Sequence, residues 1–188
     1  AAIKRALDDI TGIDAFRGLQ VRFSWRELET SKGVYDFSRI QHVIDMAAAR
    51  GKRVFILLSH KSFDGGSDVP DYLKSDAYDG GVFKLKVHGK PGLGLADRTG
   101  ENLKLWVPGV AERFGALVTE MGNQLNGQPF LEGLNFVETA TGTGLPPPTG
   151  AQLEGYFRNL AGVNAAASTA FSNTVVMQYA NFPREYLH

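Results

Sequence analysis

Four short apolar segments, each separated from the next by a stretch of helical period, constrain this chain more than any other feature. The first, Gly18-Leu19-Gln20-Val21-Arg22-Phe23-Ser24-Trp25, alternates: Leu19, Val21, Phe23 and Trp25 share one face, and Gln20, Arg22 and Ser24 the other. The second, residues 52–60, is a near-continuous apolar run of strand length, the pattern of a parallel strand buried on both faces. The third and fourth are residues 131–139 and 173–179. Before and between them lie amphipathic segments. Ile3, Leu7 and Ile10 line the first, and Ile40, Val43, Ile44 and Ala47 line a helix over 39–50 that stops at Gly51. Pro108 suits the first position of a helix to about residue 125, with Val110, Phe114, Leu117, Val118 and Met121 inside. Thr149 caps the last, which carries Leu153, Phe157, Leu160 and Val163. Strand and helix in regular alternation predict right-handed βαβ units and a parallel sheet. The fold class is therefore α/β, either a parallel (β/α) barrel-type chain or an open doubly wound sheet.

Length, 188 residues, suits a single domain spanning 1–188. Twenty basic and twenty acidic side chains cancel without a block of either sign, which points away from nucleic acid and membrane surfaces and toward a neutral small-molecule partner. The absence of cysteine excludes disulfides, thiolate metal sites and a cysteine nucleophile. No His pair stands at metal spacing, so neither a metal nor a cofactor is expected. One departure from the regular alternation is a long insertion, residues 61–107, rich in Gly, Asp and aromatics. Within it the alternating residues 82–87, stopped at His88-Gly89-Lys90-Pro91-Gly92, predict a small hairpin over the strand ends.

Ligands of parallel α/β folds sit at the carboxyl ends of the strands. Glu138, at the end of the third apolar segment, is on that argument the leading catalytic candidate, with an ordinary surface ion pair as its plain alternative. His60 ends the second segment and is placed to hydrogen-bond a polar ligand. Arg22 lies on the polar face of the first strand, and Asn135, Gln178 and Tyr179 lie on the last two. Trp106, Tyr72, Phe63 and Tyr179 are candidate stacking platforms, each weighed against plain packing, while Trp25 is expected to pack. Glu27 and Glu29 form a tempting carboxylate pair that must first meet a geometric test. Neither Gly92-Leu93-Gly94 nor Gly142-Thr143-Gly144 has the spacing of a phosphate loop, and Ser59 lacks a nucleophile elbow.

Trp25-Arg26-Glu27-Leu28-Glu29-Thr30-Ser31-Lys32-Gly33-Val34-Tyr35-Asp36-Phe37, followed by a helix and Gly51-Lys52-Arg53-Val54, resembles a phrase at the end of the second barrel strand in TIM-barrel glycoside hydrolases of the β-galactosidase-like and cellulase-like superfamily. Val69-Pro70-Asp71-Tyr72-Leu73 resembles the loop after their third strand, and Leu105-Trp106-Val107-Pro108 the lead into their fourth helix. The resemblance implies that the four strands are the second to the fifth of a barrel. It implies that Glu138 is the acid/base glutamate of the fourth, with Val137 where most members carry Asn. It also implies that Arg22 keeps catalytic carboxylates charged, and that Glu29 belongs to a structural turn. The family's nucleophile comes from the seventh strand, so the resemblance implies a partial barrel: a fragment, or a half-barrel completed as a homodimer. The activity implied is hydrolysis of a β-linked glycan through two carboxyl groups, one of them a proton donor. The alternative is a non-catalytic carbohydrate-binding or scaffold protein of barrel ancestry.

Overall fold

A computed structural model of the chain describes residues 1–89, 91–93 and 96–181, apart from the side chain of Pro91. Helix α1 (Ala2–Ile10) precedes strand β1 (Gly18–Ser24). A short helix α2 (Trp25–Leu28), strands β2 (Glu29–Ser31) and β3 (Val34–Tyr35), helix α3 (Ser38–Ala48) and strand β4 (Arg53–Ser59) follow. Strands β5 (Val82–Val87) and β6 (Arg98–Leu103) lie in the insertion, and then come α4 (Pro108–Leu125), β7 (Leu131–Phe136), β8 (Thr143–Leu145), α5 (Gly150–Ala170) and β9 (Val175–Gln178).

The four anticipated strands form one parallel sheet in the order β1-β4-β7-β9. Each new strand adds beside its predecessor on the same side. A doubly wound sheet must reverse direction at a switch point, whereas a barrel winds one way only, so the order decides for the barrel-type alternative. Helices cover one face. Val21 and Phe23, Val54, Ile56 and Leu58, and Leu134 and Phe136 form a buried cluster with Ile40, Val43 and Ile44 of α3, Val110, Phe114 and Leu117 of α4, and Leu160 and Val163 of α5. A fully buried side chain of this size contributes about 1.5–3 kcal/mol. The opposite face, the inside of a barrel, carries Gln20 and Arg22, Phe55 and Leu57, Gly133 and Asn135, and Val175 and Met177, aligned by register across the strands.

This inner face is open. Phe55 and Leu57 are half-buried, and Val175, Met177 and Tyr179 are exposed. The apolar run of residues 52–60 is therefore sealed only on its helix side, contrary to the expectation of burial on both, because no described strand lies across from it. Gly133 is required here by close approach, since a Cβ at that position would stand 2.2 Å from the Phe55 ring.

Helix boundaries follow the sequence closely. Asp36 Oδ1 accepts from the Ser38 backbone N–H at the start of α3, and Thr149 and Gln152 form a reciprocal capping box on α5. Along α5 the deeply buried positions are Tyr156, Leu160, Val163 and Ala167. Leu153 and Phe157, expected inside, are only half-buried. In the insertion, β5 pairs with β6 as an antiparallel hairpin, and β8 joins its free edge to make a three-stranded sheet. Ser62 bridges to Glu101, which fastens this small sheet to the end of β4.

The phrase from Trp25 to Tyr35 closes on a single carboxylate. Glu29, fully buried, accepts from Trp25 Nε1 (2.7 Å), the Gly33 backbone N–H (2.7 Å) and the Tyr72 hydroxyl (3.0 Å), and it pairs with Arg113 of α4. Arg113 also donates to the Tyr35 hydroxyl at 2.8 Å. Gly33 has a positive φ of 77°, which lets its N–H turn toward Glu29. Thus Trp25 and Gly33 meet directly at the Glu29 charge, and Tyr35 joins them through Arg113.

Candidate functional site

Glu138 lies two residues beyond β7, at the carboxyl end of the parallel sheet. The next residues are pinned to the chain after β9: Thr139 N–H donates to the Tyr179 carbonyl (3.0 Å), Thr139 Oγ1 donates to the Asn181 carbonyl (2.6 Å), and Ala140 N–H donates to Asn181 Oδ1 (3.1 Å). Glu138 itself is part-exposed, with 28% of its side chain open to solvent.

Its charged neighbour is Lys61, a residue that the sequence reading passed over. The Lys61 side chain is 1% exposed and its Nζ lies 3.9 Å from Glu138 Oε1. That ammonium group also donates to the Glu138 carbonyl (2.5 Å) and to the Ala140 carbonyl (2.7 Å). Burial lowers its pKa to about 8, and the Glu138 charge opposes that fall.

Arg22 stands on the inner face of β1, as the alternation predicts. Its guanidinium donates to the Lys61 carbonyl (3.0 Å) and pairs with Asp68. Asp68 is a second participant that no sequence signal picked out. It also accepts from Ser59 Oγ at 2.5 Å, and Ser59 Oγ reaches the Lys61 carbonyl at 3.2 Å. The carboxylate that Arg22 pairs with is therefore Asp68. Arg22, Ser59, Lys61, Asp68 and Glu138 form one connected polar group across the ends of β1, β4 and β7.

Asn135 shares the inner face with Arg22 and is 3% exposed, yet its Oδ1 has no hydrogen-bond partner among the described residues. An unpaired buried amide oxygen is costly, so this atom marks a place where a donor group would be welcome. Tyr179 projects at 59% exposure past the end of β9.

The other predicted contacts lie elsewhere. His60, expected to face a ligand, sits behind the sheet at 1% exposure, edge-on to Phe114 of α4 and 3.3 Å from the Tyr156 hydroxyl of α5. The alternation of the strand carries it away from the mouth, and burial keeps its pKa well below the usual 6.5. Gln178 also falls on the helix side, in register with Leu58 and Phe136. Its amide donates to the Val137 carbonyl (2.7 Å) and accepts from Asn164 of α5 (3.1 Å). Trp106 packs against Phe83 of the hairpin, with ring centroids 5.2 Å apart, and its Cβ backs onto Gly155 of α5. Tyr72 is tied to Glu29 and Arg113, Glu27 pairs with Arg39, and Glu29 belongs to the core. Phe63 is 38% exposed.

A cavity of about 750 Å³ opens at the other end of the sheet, lined by Phe16, Gln20, Arg53, Phe55, Glu132 and Met177 among others. It lies at the amino ends of the strands, away from Glu138.

No family model and no curated protein sequence matches the chain. Solved structures do. A GH5_18 protein from Bifidobacterium longum subsp. infantis superposes on 99% of this chain with a TM-score of 0.65 and 12% identity, using 40% of its own length. An exo-β-1,4-mannosidase from Opitutaceae bacterium strain TAV5 matches 95% of the chain at TM-score 0.64 and 20% identity, with 28% of its own length. Endo-glycoceramidase II from Rhodococcus sp. matches 93% at TM-score 0.64 and 16% identity, with 43% of its own length. The chain thus spans less than half the length of these neighbours, and what it shares with them is the fold: part of the (β/α) barrel of glycoside hydrolases.

Proposed function

We propose that this chain carries the acid/base side of a glycoside hydrolase site, with Glu138 as proton donor to the leaving oxygen of a β-linked glycan. The observation that carries the reading is the position of Glu138, just past β7 at the carboxyl end of a singly wound parallel sheet, where barrel enzymes assemble their sites. Arg22, Asn135 and Tyr179, on the same inner side, are the candidate substrate contacts, and the unpaired Asn135 Oδ1 suits a sugar hydroxyl. Hydrolysis needs a second carboxylate, about 5–5.5 Å from the first for retention or about 6.5–9.5 Å for inversion. Asp68, engaged with Arg22 and Ser59, is the acidic group joined to the Glu138 network.

A second reading, glycan binding without turnover, is favoured by one observation: the charged group facing Glu138 is the buried ammonium of Lys61. Fastened to the backbone on both sides of Thr139, that ammonium group gives the strand-end loop a structural use that needs no turnover.

The test is hydrolysis of a panel of aryl β-glycosides by the wild type and by Glu138→Gln, with glycan binding measured on both. Loss of a general acid lowers the rate by about 10²–10⁴-fold, and binding is expected to persist in the variant. Equal rates in the two proteins would overturn the assignment. Binding by the wild type with no turnover on any glycoside would establish the second reading instead.

A further inference from the structure

We propose that Lys61 is the positioning residue of Glu138: its buried ammonium group holds the carbonyl oxygens of Glu138 and Ala140 and presents its charge to the Glu138 carboxylate at 3.9 Å. What Glu138 is for rests on the preceding section; how it is held does not.

An ammonium group has three N–H donors. Two carbonyls take two of them, one on either side of Thr139, so the clamp fixes the backbone on which Glu138 is mounted. One donor and the charge are left over, and the nearest acid is Glu138. A clamp for two carbonyls needs no charge, and burying one is costly unless it is paired. The arrangement is therefore economical only if the carboxylate and the ammonium act as a unit.

Surrounding charges support this pairing. From β1 the Arg22 guanidinium reaches the Lys61 carbonyl, not its ammonium group, and its own charge is answered by Asp68. Asp68 is further held by Ser59 at the end of β4. His60, just before it in the chain, is kept neutral by burial, and burial raises the Tyr156 hydroxyl of α5 further above its ordinary alkaline value. That leaves Glu138 as the counter-ion of Lys61 among the described residues. With burial bringing Lys61 to about 8, the clamp is charged at neutral pH and discharges in mild alkali. A neutral amine still carries N–H groups for the carbonyls but no longer attracts the carboxylate.

The experiment is an NMR titration of the 188-residue chain with ¹³Cε-labelled lysine and ¹⁵N-labelled backbone, in the wild type, Glu138→Gln and Lys61→Arg. A Lys61 midpoint near 8 is expected in the wild type, with the amides of Thr139, Ala140 and Thr141 shifting at the same midpoint. In Glu138→Gln the Lys61 midpoint falls by about one unit or more, since an opposite charge at this range moves a pKa by about 1–3 units. In Lys61→Arg, whose charge persists, the step in those amides disappears while their neutral-pH positions are kept. A wild-type midpoint near 10.5, a Lys61 midpoint unmoved by Glu138→Gln, or amides that ignore the titration would each overturn the proposal. Turnover is not needed for any of these readings. If Glu138→Gln remains fully active while the coupling is present, the hydrolase assignment fails and the positioning role stands; the reverse pair of results separates them the other way.

Discussion

His60 Nε2 lies 3.3 Å from the Tyr156 hydroxyl, and the other ring nitrogen, Nδ1, has no partner among the described residues. The imidazole is thus fixed as a neutral group between α4 and α5. In the unfolded chain it takes up a proton near 6.5, while in the folded chain it resists until well below that. The folded state therefore binds fewer protons in this window, and stability falls as pH drops below 6.5, by about 1.4 kcal/mol per unit until the buried ring is charged. Urea unfolding of wild type and His60→Phe between pH 7 and pH 4.5 measures it. The difference between the two proteins is expected to shift steadily in favour of the variant as pH falls; a constant difference would contradict the assignment.

Removing Glu29 leaves Arg113 without its anion and strips acceptors from Trp25, Gly33 and Tyr72. Breaking one side of a buried pair costs about 3–5 kcal/mol. Glu29→Ala is accordingly expected to lose that much in denaturant unfolding, and Arg26→Ala, which breaks an exposed pair between α2 and Asp71 of the insertion, less than about 1 kcal/mol.

Where α4 crosses α5 the contact is backbone-close. A Cβ on Gly122 would stand 2.4 Å from the Ala170 Cβ and 2.7 Å from its carbonyl oxygen, and neither can swing aside. Gly122→Ala is predicted to destabilise by about 1–3 kcal/mol through overpacking, despite the better helix propensity of Ala. Gly115→Ala on the same helix meets nothing within 4 Å and should stabilise. Thermal melts of the two variants should move in opposite directions.

Among the described residues both outer strands of the parallel sheet, β1 and β9, have one neighbour each, and the inner row Val175, Met177 and Tyr179 is open to water. Free edges beside apolar surface invite pairing. The 188-residue chain on its own is expected to associate in a concentration-dependent way by sedimentation equilibrium, and Met177→Lys to weaken that association. A mass of 20.5 kDa held across the concentration range would refute it.

The four sheet strands and the long helices were legible because local period and tertiary role agree in them: every apolar position named on α4 is buried. The hairpin's second strand, β6, could not be placed because Arg98-Thr99-Gly100-Glu101-Asn102-Leu103 holds little apolar or β-branched sequence; its partner β5, not its composition, makes it a strand. Glu138 was visible from its place after a strand. Lys61 and Asp68 were not, since a lysine and an aspartate in a polar loop look solvated until the fold closes over them. His60 and Gln178 were misplaced for a simpler reason. A side chain's face at the end of a strand depends on where the pleat stops, and a shift of one residue moves it from the mouth to the helix side.

The cluster around Glu29 also bears on what recognition means for this chain. The phrase that makes it resemble a hydrolase is a stability device: the Trp25 side chain and the Gly33 backbone N–H meet Glu29, and Tyr35 joins them through Arg113, instead of touching Glu138. Selection for folding alone would preserve such a phrase after catalysis had drifted away. The phrase speaks for the fold of the chain, and its chemistry has to be judged from Arg22, Lys61, Asp68 and Glu138, gathered at the ends of β1, β4 and β7.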